Sequence, residues 1–227
     1  MEFEKYISID NLRVYNLQEA IVASGFPMRT DFTPEGFEED IIYFDEKHTR
    51  RSTKLTSCKP STGHDCHSKA IMLSFNLTLP QYMWQQIKRY HFFDIASSCS
   101  TMHRITKMDL DVAFTPNVAA PTISMMRELV DIYNRYDDMS DNKIIDALDR
   151  IHEAYGIDVY CKSELFHAII ENIPSGLKLT AHCVTNYLQL KTMILQREHH
   201  KLPEWRYFCE YMLNNCPMLR ELLNKQN

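Results

Sequence analysis

At 227 residues, with a formal net charge of −5 and 44% apolar against 24% charged residues, the chain has the composition of an ordinary folded protein able to bury a full core. The acidic balance supplies no global basic field for nucleic acid, no apolar run approaches the roughly 20 residues that span a bilayer, and MEFEKYISID lacks the charge of a signal peptide. The expectation is a cytoplasmic protein, with neither nucleic acid nor membrane as partner, built as one α+β domain over residues 1–227.

Taken in chain order, KYISIDNLRVYN reads as β and LQEAIVAS as a short helix stopped by Gly25 and Pro27. IIYF is a strand candidate, and the basic run from Lys47 to Lys54 reads as a solvated loop. In KAIMLSFNLTL, Ile71, Leu73, Phe75 and Leu77 alternate with Met72, Ser74, Asn76 and Thr78, the period of a half-buried strand. Pro80 then opens a predicted helix, PQYMWQQIKRYHFF, because proline is tolerated in a first turn. Two amphipathic helices follow, PTISMMRELVDIYNRY and NKIIDALDRIHEAYG, separated by DDMSDN. SELFHAIIENI is another helix, ended by Pro174 and Gly176. LTAHCVTNYLQLKTMILQR reads as one long helix, with Leu188, Leu190, Ile194 and Leu195 among its buried positions. PEWRYFCEYMLNNC makes the last long helix.

Several chemistries are absent from this pattern. The seven cysteines are irregularly spaced without a CxxC, which argues against a disulfide framework and a zinc ribbon. Adjacent ligands in His64-Asp65-Cys66-His67 point in different directions on any regular element, so this cluster reads as a capped turn and no metal is expected. GxGxxG, GxxxxGK[ST] and GxSxG are all missing. Four polar groups recur on apolar helices instead. Gln86 and Arg89, three apart, share a helical face; Asn186 and Arg197 are eleven apart, or three turns of one helix. Each arginine is either a structural ion-pair partner or a reader of an anion or amide, and the residues alone leave both open.

Two blocks, TGHDCHSKAIMLSFNLTLPQYMWQQIKRYHFFDIASSCSTMHRI and TNYLQLKTMILQREHHKLPEW, resemble the signature blocks of the flavin-dependent thymidylate synthases. Gly63, His64 and Asp65 are similar to that family's Gly-His-Glu turn, and Gln86 and Arg89 to its Gln-x-x-Arg. Three residues inserted after His91 bring Ser97 and Arg104 onto the motif's first serine and last arginine; another placement puts Ser100 on the catalytic serine. Asn186, Arg197, Glu204 and Trp205 follow the C-terminal block, and IPSGLKLT resembles the loop before it. The resemblance implies a central, mostly antiparallel sheet with flanking helices and a long C-terminal helical region. It also implies a homotetramer with FAD and a dUMP-like pyrimidine nucleotide at subunit interfaces, and methylenetetrahydrofolate and NADPH as co-substrates. By position, it assigns Arg89, His91, Ser97 and Asn186 to the flavin, Gln86 and Arg104 to the nucleotide, and Arg197 to the pyrimidine ring as the catalytic residue.

Departures from the motif are also readable. Tyr90 and His91 replace His-Arg, Cys99 and Ser100 replace Asn-Glu, and Met102 stands for a nucleotide-binding serine. Ala70 takes the place of a flavin-contacting histidine, and Ile170 and Leu188 take the places of arginines. Each lost charge-assisted contact removes about 1.5 to 3 kcal/mol of ligand binding if nothing replaces it. Two readings result: a divergent flavin-dependent enzyme of this type, or a non-catalytic protein that keeps the pocket and captures a nucleotide.

Overall fold

The computed structural model describes residues 5–30, 32–59 and 62–225. Its centre is a four-stranded sheet in the order β1-β2-β4-β3, with β1 Ser8–Tyr15, β2 Met72–Pro80, β3 Asp94–Ser98 and β4 Lys178–Asn186, every neighbouring pair antiparallel. The alternation expected for β2 holds: Ile71, Leu73, Phe75 and Leu77 are fully buried, while Ser74, Asn76 and Thr78 lie on the opposite, open face. On β4 the inward residues are Ala181, Cys183 and Thr185.

Around the sheet run α1 Leu17–Ala23, α2 Pro34–Ile42, α3 Glu46–Thr56, α4 Gln81–Ile87, α5 Thr101–Arg104, α6 Leu110–Ala113, α7 Ala120–Arg135, α8 Asp141–Tyr155, α9 Lys162–Glu171, α10 Tyr187–Arg197, α11 Pro203–Asn215 and α12 Leu219–Leu222. A first apolar cluster packs the inner sheet face against α4, α10 and α11, with Phe75, Met83, Tyr187, Met193, Trp205 and Phe208 at its centre. A second joins α7, α8 and α9 through Met126, Leu129, Ile151, Leu165 and Ile169. Leu179 on β4 packs against both. Among the described residues no helix is long and apolar enough to cross a membrane.

Four sequence expectations are corrected. IIYF is not a strand, because Ile41 and Ile42 close α2, whose first turn is capped by the Thr33 hydroxyl accepting from Gly36 N–H at 3.1 Å. The run Lys47 to Lys54 is helical, not a loop: the Asp45 carboxylate accepts from Lys47 and His48 N–H at 2.9 and 3.2 Å, and the His48 ring accepts the Asp45 N–H in return. Its buried face is polar, carrying Thr49, Ser52 and Thr56, so no hydrophobic period marks it. The helix expected over PQYMWQQIKRYHFF ends at Ile87, and the chain turns into β3. The long helix expected over LTAHCVTNYLQLKTMILQR is β4 followed by α10, and Leu195 is 49% exposed rather than buried. Thr180, Val184 and Thr185 are β-branched and favour the strand, and Asn186 marks the switch to helix.

Candidate functional site

Arg197 ends α10, and the next turn folds α11 back so that Trp205 lies against it. Its guanidinium carbon sits 4.9 Å from the Trp205 ring centroid and 5.8 Å from that of Tyr90. Arg197 Nε donates to the Tyr90 hydroxyl at 2.8 Å, and that hydroxyl donates to Gln196 Oε1 at 3.1 Å. Trp205 Nε1 in turn donates to Gln86 Oε1 at 2.9 Å, and the Tyr90 and Trp205 rings meet edge to face at 6.1 Å. The structure thus brings together Gln86 and Arg197, two residues the sequence pairs only through resemblance. Among the described residues no carboxylate pairs with Arg197, and its two terminal nitrogens carry no hydrogen bond within the chain.

Asn186 has a structural duty. Its Oδ1 accepts from Gln189 N–H at 2.8 Å as the N-cap of α10, so only its amide NH2 is uncommitted. The same corner anchors the segment read as an insertion: Gln189 Oε1 accepts from Phe92 N–H at 3.2 Å, and Thr185 Oγ1 donates to Phe92 O at 2.7 Å. Phe93 is buried edge to face on Phe75 at 5.9 Å. The inserted residues therefore build the turn that delivers the chain into β3.

The remaining predicted residues, Arg89, His91, Ser97 and Arg104, are exposed around β3 and α5, and no side-chain hydrogen bond or ion pair within the described residues engages them. Arg89 is joined to the Arg197 cluster through its backbone only, its N–H donating to Gln86 O at 3.3 Å. Ser97 lies opposite His182 in the β3/β4 register, and His182 opposite Asn76, which lies opposite Asp10. His182 Nδ1 bonds Asn76 Oδ1 at 2.8 Å, Asn76 Nδ2 donates to Asp10 Oδ1 at 2.8 Å, and His182 Nε2 lies 2.9 Å from Ser74 Oγ. Because Asp10 claims the Asn76 amide, Asn76 Oδ1 must accept, which places the proton of neutral His182 on Nδ1. Sequence reasoning missed this row, although β2 alternation already sets Ser74 and Asn76 on one face.

It also missed Glu204 as a buried group. This carboxylate accepts from Tyr82 OH at 2.5 Å, and its second oxygen has no partner among the described residues. Burial and Glu204 together push the Tyr82 hydroxyl well above the ordinary tyrosine value. At the departures, Met102 is 53% exposed, Ala70 is exposed, and Ile170 packs on the second apolar cluster. His64-Asp65-Cys66-His67 splits up: Asp65 is buried against Lys191 Nζ at 2.6 Å, and His67 Nε2 lies 2.7 Å from Ser52 Oγ. No group of three or more possible metal ligands forms among the described residues.

No family model matches the sequence, and no curated relative does. Solved structures do match. The flavin-dependent thymidylate synthase ThyX from Helicobacter pylori, complexed with FAD and dUMP, aligns over 96% of this chain and 97% of its own at a TM-score of 0.62 and 12% identity. The chain has the ThyX fold. A second structure of the Helicobacter pylori ThyX with FAD and dUMP gives a TM-score of 0.59 at 12% identity, covering 96% of each chain. A UMP/dUMP methylase, PolB from Streptomyces cacaoi bound with 5-Br dUMP, gives 0.56 at 11% identity, covering 96% of this chain and 94% of its own. The mixed α/β architecture with a central antiparallel sheet, expected from the resemblance of the two sequence blocks, is the one observed, and the sheet has four strands.

Within this fold the donor set suits a flavin nucleotide. Among the described residues the side chains of Arg89, Arg104, His91 and Ser97 have no hydrogen-bond partner, and the Asn186 amide has N–H groups to spare. Phosphates and ring carbonyls are the acceptors such groups bind.

Proposed function

We propose that the chain binds FAD and a dUMP-like pyrimidine nucleotide and transfers a one-carbon unit from methylenetetrahydrofolate to that nucleotide. The observation that carries this reading is Arg197: a cation on a largely buried helix, held on one side by Tyr90 and Trp205 and lacking any carboxylate partner among the described residues. An arginine in that setting is a ready fork for an in-plane acceptor, such as a pyrimidine carbonyl. Arg104 would hold the nucleotide, with Gln86 fixing Trp205 beneath Arg197; Arg89, His91, Ser97 and the Asn186 amide would hold the flavin. The chemistry supplied by a bound flavin is hydride delivery, with NADPH as the reductant of the couple. Because the Arg89 and Arg104 side chains are exposed and engage no hydrogen-bond or ion-pair partner among the described residues, a second copy of the chain completing the site fits the arrangement, in line with a homotetramer.

The test is direct. Protein purified with FAD should retain a yellow flavin absorbance after desalting, and dUMP should raise its melting temperature in proportion to the logarithm of ligand concentration above Kd. Arg197→Ala should abolish the dUMP shift while leaving the flavin bound. A protein that stays colourless after incubation with FAD would falsify the flavin assignment.

A further inference from the structure

We infer that Tyr90 is a positioning residue for Arg197, fixing which edge of the guanidinium faces the ligand. The inference rests on the reading of Arg197 as the nucleotide-facing cation. Tyr90 stands where the resembling motif has a histidine, so this contact belongs to this chain.

The geometry is restrictive. A guanidinium has one Nε–H and two terminal NH2 groups, and each planar edge can read a different pair of acceptors. Here the Nε–H is consumed by the Tyr90 hydroxyl at 2.8 Å. The hydroxyl's own proton goes to Gln196 Oε1 at 3.1 Å, so the oxygen is oriented to accept from Arg197 rather than to donate elsewhere. Trp205 lies 4.9 Å from the guanidinium carbon, and its own orientation is set by the bond from Nε1 to Gln86 Oε1. The side chain is thereby held by one hydrogen bond and two rings, and the edge formed by its two terminal nitrogens is left without a hydrogen-bond partner among the described residues. The two N–H groups on that edge can converge on one in-plane carbonyl oxygen, such as a pyrimidine carbonyl. The sequence position explains the origin of the restraint: Tyr90 follows the end of α4, and the turn bonded to Gln189 and Thr185 holds it over α10.

Two measurements separate this inference from the reading it rests on. In the full-length protein, the Arg197 Nε–H proton should appear as a slowly exchanging NMR resonance, assigned by its loss in Arg197→Lys. Tyr90→Phe keeps the ring but removes the hydroxyl, and should return that proton to fast exchange while the melting temperature stays close to wild type. In the same variant, the dUMP dissociation constant should rise about tenfold, the effect of losing a hydrogen bond to a charged group, with FAD affinity unchanged. An Arg197 Nε–H that exchanges equally fast in wild type and Tyr90→Phe overturns the positioning role, as does an unchanged dUMP affinity. If wild type shows the protected proton but binds no dUMP, the functional reading fails while the restraint on Arg197 stands.

Discussion

Lys191 is a buried charge with three partners. Its ammonium is 6% exposed and meets the equally buried Asp65 carboxylate at 2.6 Å, with further bonds to the carbonyl oxygens of Thr56 at 2.5 Å and Cys58 at 3.1 Å. All three ammonium protons are thus used, and α10 is tied to the end of α3 and to the turn before β2. Removing one partner leaves the other charge buried and alone, at a cost of about 3 to 5 kcal/mol. Lys191→Met and Asp65→Asn should each lower stability by that order in denaturant melts, whereas the double change Lys191→Met/Asp65→Leu should recover much of the loss. Additive losses in the double variant would contradict the pairing. His64 and Cys66, the exposed neighbours of Asp65, should tolerate alanine with changes within about 0.5 kcal/mol.

At the scale of elements, Asn186 separates two roles that overlap in sequence. As N-cap of α10, its loss in Asn186→Ala should cost about 1 kcal/mol. Asn186→Asp keeps the accepting oxygen but removes the NH2 group, so it should preserve stability and weaken FAD binding; equal flavin affinity in wild type and Asn186→Asp would assign Asn186 to the cap alone. What was legible in the sequence follows the same division. β2, α7 and α8 could be read because their buried faces are apolar at a clean period, and α11 because apolar residues dominate its buried face despite Glu204. α3 could not, because it buries Thr49, Ser52 and Thr56, and β3 could not, because its five residues pair through the backbone with almost no buried side chain. β4 and α10 merged into one predicted helix because Asn186, the residue that ends the strand and caps the helix, also fits a helical interior pattern. Gln86 and Arg197 were identifiable by resemblance. Glu204 was placed in the C-terminal block but not as a buried partner of Tyr82, and the bonds of Tyr90 and His182 were not readable, since these partners lie 106 to 122 residues apart.

For the molecule as a whole, the loop before β4 joins the two apolar clusters. Gly176 O accepts from Thr115 N–H at 2.9 Å, and a Cβ at Gly176 would sit 2.4 Å from Val118 Cγ2 and 2.6 Å from Thr115 Oγ1. Gly176→Ala should therefore force the two segments apart and lower the melting temperature by several degrees, even though both apolar clusters keep their composition. The pH response is also global. Burial holds the pKa of His67 below the ordinary 6.5, and burial together with Arg197 does the same for His200. The unfolded chain then binds more protons than the folded one, so stability is full above about pH 6.5 and declines as pH falls toward the folded pKa values. Thermal melts between pH 7.5 and 5 (a range of ordinary histidine titration) should show a falling midpoint, flattened in His67→Asn.

The row Asp10, Asn76, His182 and Ser74 runs across β1, β2 and β4 on the open face. Side chains in a strand change face at every residue, so a slip of one position would turn His182 into the apolar interior and bring Cys183 out into water. A slip of two between β2 and β4 would keep the faces but move His182 from its position opposite Asn76. The row therefore acts as a check on strand registry: in the observed pairing all four polar side chains close one chain of hydrogen bonds across three strands.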